Sequence, residues 1–357
     1  MKAHLTSSLS TPKTAAKILA AVAVLTFLLV GSPTAYAQNV LSTSYKSQID
    51  IMEWEVPWEG SRPRDPYVAP DGMVWFCGQT GAYLASLNPD TGEMKRYELG
   101  AGEGPHNLIV AEDGMVWYSG NTKGYIGRLN PITEEITKFP MSDTAARDPH
   151  TLVWLSDGNI AFTVQGGNMV GHLDVKTGKV RLTTPAESGS RPYGIKVDPN
   201  GEVWVVLFGT NKLAHFDMKG MALHEFEIPR KNARPRRMEI TSDGRIWYGD
   251  YAGGFLGVFN PQDASFTEYE MPSKVDSRPY GMAVDNNDTI YMVETGVKPN
   301  NFIAFDTKSA SFTSSALIPS GGGVIRHMYY HEPTGMIWFG TDSNFVGRAL
   351  VGQKEGL

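Results

Sequence analysis

One unit recurs along almost the whole chain: a proline followed by Tyr, His or Arg, a short apolar stretch, an Asp-Gly-type pair, then hydrophobic-x-Trp. The copies are Asp65-Pro66-Tyr67 with Asp71-Gly72 and Trp75; Gly104-Pro105-His106 with Asp113-Gly114 and Trp117; and Asp148-Pro149-His150 with Asp157-Gly158. They continue as Arg191-Pro192-Tyr193 with Asn200-Gly201 and Trp204; Arg234-Pro235-Arg236 with Asp243-Gly244 and Trp247; Arg278-Pro279-Tyr280 with Asn287-Asp288 and Tyr291; and Ile325-Arg326-His327 with Thr334-Gly335 and Trp338. Successive turn positions from 72 to 335 lie 42, 44, 43, 43, 44 and 47 residues apart, so one supersecondary unit is repeated seven times.

Each unit reads as four short strands. An apolar strand such as 194–197 ends at an Asp-Gly or Asn-Gly turn, the strongest short hairpin signal. The Trp-bearing strand follows, then a Gly-x-Ile/Leu-Gly-x-hydrophobic segment such as 124–129. Last comes an alternating tail such as 94–99 or 266–271, whose period of two marks a half-exposed strand. Four strands per roughly 40–45 residues is the period of a propeller blade, and the predicted fold is an all-β, seven-bladed β-propeller.

An open ring would leave costly strand edges. The segment 51–57 resembles the outer tails yet precedes the first unit, while the seventh unit stops near Leu350 without a tail of its own. Residues 49–57 are therefore expected to complete the last blade and seal a single domain over 49–350, with 38–48 as linker and 351–357 as tail.

Lys2, Lys13 and Lys17 precede an apolar run from Ile18 to Val30, followed by Ala35-Tyr36-Ala37. This is the pattern of a secretory leader over 1–37, with cleavage near Ala37 and a periplasmic or secreted product. Thirteen apolar residues are too few for a relaxed membrane span. Losing the leader's three lysines leaves 29 Lys and Arg against 38 Asp and Glu, a balance of −9 that argues against nucleic acid as partner. The single cysteine, Cys77, excludes an intramolecular disulfide, a cysteine-based metal cluster and covalently attached haem. No nucleotide cofactor is expected, and the product is expected to be a monomer.

Five of the eight tryptophans share one repeat position and read as inter-blade wedges. The informative position is the one after the repeat proline. It opens each blade's first strand, and every copy should point at the channel mouth. Around the ring it gives Tyr67, His106, His150, Tyr193, Arg236, Tyr280 and His327, none of them aliphatic, which points to a ligand or catalytic site for a small molecule. Arg64, Arg147, Arg191, Arg234, Arg278 and Arg326 cluster just before it and would favour an anionic ligand. A further polar layer follows the Trp strand: Gln79, Asn121, Gln165, Asp250, Glu294 and Asp342. Its carboxylates, from three consecutive blades, are a candidate oxygen-ligand set for Mg²⁺ or Ca²⁺.

The repeat, with its RPYGI-type strand, Trp strand and G-x-IGRL segment, resembles the streptogramin B (virginiamycin B) lyase family of seven-bladed propellers over residues 50–350. The resemblance implies a carbon–oxygen lyase in which a histidine removes a proton beside an ester carbonyl while a carboxylate-held Mg²⁺ stabilises the enolate. Carried over residue by residue, it implies His327 as general base, Tyr280 in place of a second histidine, and Asp342 with Glu294 near the cation. Arg326 stands where the family has proline, and Ile325 where it has an acid. The substrate-binding set is then Tyr67, His106, His150, Tyr193, Arg236, Arg278 and Arg326. A binding propeller without catalysis, holding a small anion or a protein loop at the mouth, is the alternative reading.

Overall fold

A computed structural model describes residues 49–351 and the backbone of 35–37, all within one unit spanning Thr34–Leu357. The rest of the leader, the linker and the end of the tail lie outside the described residues. Seven antiparallel sheets follow one another around a ring, six built on four strands in sequence order and the last taking its outer strand from near the start of the chain. Their first strands are Pro63–Val68, Pro105–Val110, Pro149–Trp154, Pro192–Val197, Pro235–Ile240, Pro279–Val284 and Met328–His331. Two three-residue 3-10 turns, at Lys274–Asp276 and Glu332–Thr334, are the helical structure among the described residues.

The burial pattern explains why the repeat folds this way. Second strands such as Val116–Gly120 and Val203–Leu207 are buried at every residue, because neighbouring blades cover both faces. Outer strands such as Asp50–Glu55 and Ile136–Pro140 carry only half-buried and exposed residues. Against the outer strand of the fifth blade, Ala35–Ala37 runs parallel, pairing with Thr267–Tyr269.

The repeated tryptophans Trp75, Trp117, Trp204, Trp247 and Trp338 are all buried, and each packs against an aromatic ring from its own blade's outer strand: Tyr97, Phe139, Phe226, Tyr269 and Trp54. Aromatic pairs of this kind add ~0.5–1.5 kcal/mol beyond area burial. The glycine of the third strand has an equally local reason. A side chain at Gly127 or Gly257 would collide with the ring of Tyr118 or Tyr248, its direct cross-strand partner.

The ring closes as the sequence suggests. Asp50–Glu55 forms the outer strand of the last blade, pairing with Phe345–Leu350 over six residues. Trp54 stacks on Trp338 at 5.6 Å and 19°, supplying the aromatic partner that every other such blade draws from its own tail. Glu53 adds hydrogen bonds from the backbone N–H and hydroxyl of Ser320, at 2.6 and 2.7 Å, tying the strand to the neighbouring blade.

Candidate functional site

In six blades the first strand carries a bulge, so two consecutive residues break the ladder before regular pairing resumes. In blade two, Pro105 pairs with Gly120 and Leu108 with Tyr118, leaving His106 and Asn107 between. The bulge aims both of them toward the channel, and it fixes which residues are equivalent around the ring.

This register corrects two of the seven expected ring positions. In the first blade Pro63, not Pro66, is the repeat proline, because Pro63 pairs with Gly78 as Pro105 pairs with Gly120. Arg64 is therefore the ring residue, and Tyr67 lies three residues further along. In the last blade the hairpin is one residue longer, with Tyr330 opposite Ile337 where Val110 faces Val116. That moves Arg326 onto the ring and His327 one place deeper. Ser61-Arg62-Pro63, which matches Ser190-Arg191-Pro192 and Ser277-Arg278-Pro279, is the sequence signal that marks Pro63 as the first blade's repeat proline, in place of the expected Pro66.

The upper layer is thus Arg64, His106, His150, Tyr193, Arg236, Tyr280 and Arg326. All seven line one cavity of about 280 Å³, together with Arg62, Gln79, Asn121, Asp148 and Gln165. Arg147, Arg191, Arg234 and Arg278 are exposed around it and are not among its lining. The ring residues are held from behind by the preceding blade. Ser119 donates to the carbonyl of His150 at 3.0 Å, and Thr163 to that of Tyr193 at 2.7 Å.

Within the layer the groups touch in series. Arg64 Nη2 lies 2.7 Å from His106 Nε2; because a guanidinium only donates, Nε2 must accept and the His106 proton sits on Nδ1, a buried atom without a partner. The His106 and His150 rings are 3.7 Å apart, and His150 lies 4.0 Å from Tyr193. Burial first, then for His106 the charges of His150, Arg64 and Arg237, and for His150 those of Arg237 and Arg64 against the pull of Asp65, hold both histidines well below the ordinary value of 6.5, so the pair is neutral. The Tyr280 oxygen has two partners, Arg236 Nη1 at 2.9 Å and the Tyr193 hydroxyl at 2.6 Å. Burial alone would raise the Tyr280 hydroxyl, but Arg236, the Tyr193 hydrogen bond, Arg64 and Arg237 outweigh it and bring Tyr280 below 10.0. Tyr193 is pushed the other way by burial and by Tyr280, and either oxygen can donate in this pair.

Directly beneath lies a second layer: Asp65, Asn107, Thr151, Gly194, Arg237, Gly281 and His327. Arg237, buried, spans the axis. It donates through Nη1 to Thr151 at 3.0 Å, through Nη2 to Asp65 at 3.3 Å, and through Nε to the carbonyl of Arg326 at 2.9 Å. Asn107 adds a bond to the same Asp65 oxygen at 3.0 Å. Burial opposes the Asp65 charge, yet His327, Arg237, Arg64 and the Asn107 bond hold its carboxyl far below the usual range. These groups plug the channel. Asp65, Asn107 and Arg237 escaped the sequence reading; the doublet Arg236-Arg237, opening a strand otherwise suited to apolar residues, was their only trace.

Below the plug a separate cavity of about 220 Å³ is lined by Tyr67, Ile109, Lys196, Arg237, Glu239, His327 and Tyr329 among others, and shares no residue with the upper one. Tyr67 stacks on Tyr329 at 4.3 Å, and Lys196 pairs with Glu239 at 2.8 Å. His327 lies here, pushed down to about 3 chiefly by burial and then by Arg237 against the pull of Asp65. A base that weak is poorly matched to proton abstraction near neutrality.

The residues expected to hold Mg²⁺ do not fit it. Glu294 is fully buried, with Oε1 accepting from Ser273 N–H and Oε2 from the Ser273 hydroxyl and Asn301, at 2.8–2.9 Å. Asp342 is engaged by Arg326 and by Arg62, and two guanidinium charges oppose a cation there. Asp250 accepts from three backbone N–H groups. Among the described residues no three His, Cys, Asp or Glu side chains gather as a metal-binding group.

Several solved structures share this architecture. Virginiamycin B lyase from Staphylococcus aureus is 20% identical, with 85% of this chain and all of that one covered and a TM-score of 0.77. A streptogramin B lyase is 21% identical over 84% of this chain and 97% of its own, with a TM-score of 0.75. Hydrazine synthase from Kuenenia stuttgartiensis, 12% identical over 83% and 97%, reaches 0.69, so the likeness speaks for the fold alone. No curated protein matches the chain in sequence. The Virginiamycin B lyase family matches residues 34–298, short of the last blade's own strands, and over that span the chain is a member of this family.

Proposed function

We propose that the channel mouth captures a small carboxylate- or phosphate-bearing molecule. One observation carries the reading: Arg62, Arg64, Arg236 and Arg326, from three blades, converge on a cavity where Asp148 is the sole carboxylate in the lining. Asp148 accepts from the backbone N–H groups of Gly166 and Gly167, and Asp342 is shared between Arg62 and Arg326, so the carboxylates nearby leave a surplus of positive charge at the mouth. Arg236 Nε is a buried donor without a hydrogen-bond partner, which an anion would satisfy, whereas Arg64 Nε faces Asp65 at 3.6 Å. The volume suits a small ligand better than a macrocycle, since sites for drug-sized molecules run to ~300–1,000 Å³.

Calorimetric titration with citrate, phosphate and their uncharged analogues tests this. Binding of the acids that weakens with salt and falls at least ~10-fold in Arg64→Gln or Arg326→Gln supports it. Equal binding of uncharged analogues, or an unchanged affinity in both variants, contradicts it. Family membership favours a second reading, cleavage of a carbon–oxygen bond by elimination at the same mouth. Export on the leader 1–37 belongs to the proposal as well; a secreted product beginning near Gln38 by N-terminal sequencing supports it, and a cytoplasmic full-length chain contradicts it.

A further inference from the structure

The cavity beneath the plug is walled chiefly by carbon. Tyr67 and Tyr329 stack in its wall at 4.3 Å, and Ile109, Val153 and Trp154 extend the apolar lining. Trp154 is fixed by a hydrogen bond from Nε1 to the Val110 carbonyl at 3.2 Å and by edge-on contact with Trp117 at 6.1 Å and 83°. Tyr67 and Trp154 also line a larger cavity of about 560 Å³, which extends to the exposed turns that carry Glu112 and Gly158. These two rings therefore stand between the inner cavity and a way in from the turn face of blades two and three.

Three observations decide what fits there. The inner volume of about 220 Å³ exceeds the ~150 Å³ in which an apolar cavity holds benzene, so it admits one substituted ring or two fused ones. The charges are already matched, Lys196 to Glu239 at 2.8 Å and Arg237 to Asp65 at 3.3 Å. An ionised ligand would give up its hydration and find no free counter-charge. His327 Nδ1 is buried and makes no hydrogen bond, and the ring is neutral, so a single polar group on a ligand would satisfy it. A hydroxyl suits either tautomer, since it can donate or accept.

We infer that the lower cavity is a second binding site, for a neutral flat aromatic molecule of the phenol or indole class, with His327 Nδ1 as its polar anchor and Tyr67, Tyr329 and Trp154 as its walls. Aromatic walls of this kind favour stacked or edge-on contact with a ring. The site is independent of anion capture at the mouth, with which it shares no residue.

Calorimetric titration of the whole chain with p-cresol, indole, toluene, 4-methylbenzoate and 4-methylbenzylamine tests this. p-Cresol and indole are expected to bind one per chain, and the two ionised analogues at least ~10-fold more weakly. Val153→Phe, which adds a ring to the cavity from a half-buried position, is expected to remove p-cresol binding while a thermal melt shows the fold intact. His327→Leu is expected to weaken p-cresol at least ~5-fold and toluene less than twofold, because toluene has nothing to offer the anchor. Binding of p-cresol that survives Val153→Phe puts the ligand elsewhere and overturns the site. Ionised analogues that bind as tightly as p-cresol overturn the ligand class. An equal loss for p-cresol and toluene in His327→Leu overturns the anchor. Absence of binding by both p-cresol and indole at ~1 mM overturns the whole inference, whatever citrate does at the mouth. A Val153→Phe chain that no longer melts cooperatively leaves the His327→Leu comparison to decide.

Discussion

Of the two cavities on either side of the Arg237–Asp65 plug, the upper draws on all seven blades and the lower on six, and their chemistry differs. The upper one gathers four arginines, two neutral histidines and two coupled tyrosines. The lower one is walled by Tyr67, Tyr329, Trp154 and aliphatic side chains, with Lys196 and Glu239 paired to each other and Arg237 paired to Asp65. The separation follows strand position: in blades two to five the first residue after the repeat proline lines the upper cavity, the second joins the plug, and the next two line the lower cavity. Strand position, more than residue type, decides which chemistry a side chain joins. His327, a histidine beside the repeat position, lands with the tyrosines below rather than the histidines above.

The largest effect is expected from removing what holds both cavities in one ring. Deleting residues 49–57 strips six ladder pairs and the Trp54–Trp338 stack, and should abolish cooperative thermal unfolding under conditions where the intact domain melts sharply. Next comes the partition itself. Asp65→Ala leaves Arg237 buried without its carboxylate, which should cost roughly 3–5 kcal/mol in denaturant unfolding, with Asp65→Asn costing less.

The pH dependence has one sign for all the depressed histidines. His106, His150 and His327 bind protons more weakly folded than unfolded, so the neutral state stabilises the fold above about pH 6.5, and stability falls as pH drops below that value toward about 3, the folded value of His327. The depressed Asp65 adds a second loss below its unfolded value near 3.8. Equilibrium unfolding between pH 8 and 4 measures the first loss, and a double His106→Gln, His150→Gln variant should flatten it; an unchanged slope would show that the pair is not neutral by burial. The smallest effect sharpens the contrast between the cavities: a chelator should change affinity at the mouth by less than about twofold, because Asp342 and Glu294 are satisfied by protein groups.

The seven blades, the buried tryptophans and the closing strand were legible because each follows from a local pattern repeated many times. The membership of the mouth was legible in five of seven positions. The first blade carries two prolines, Pro63 and Pro66, and the one that starts the strand is decided by its pairing with Gly78. The last blade carries no proline before its ring residue, and its hairpin is longer by one residue. The plug was not legible, because Arg237 and Asp65 are 172 positions apart and meet only across the axis. The carboxylates after the Trp strands were visible as residue types, but whether such a group is free for a ligand depends on partners such as Ser273 and Arg62 that no spacing rule announces.

The closing strand has a consequence for how the chain is made. Glu55 must wait for Phe345, and at ~5–20 residues per second the ribosome needs roughly 15–60 s to deliver it. Through that interval an amphipathic segment with Trp54 and Val56 has no native partner, and the growing stack of blades ends in an unmatched edge. Cells lacking a holdase that shields such segments should accumulate this protein as aggregate formed during synthesis, even where the finished ring is stable.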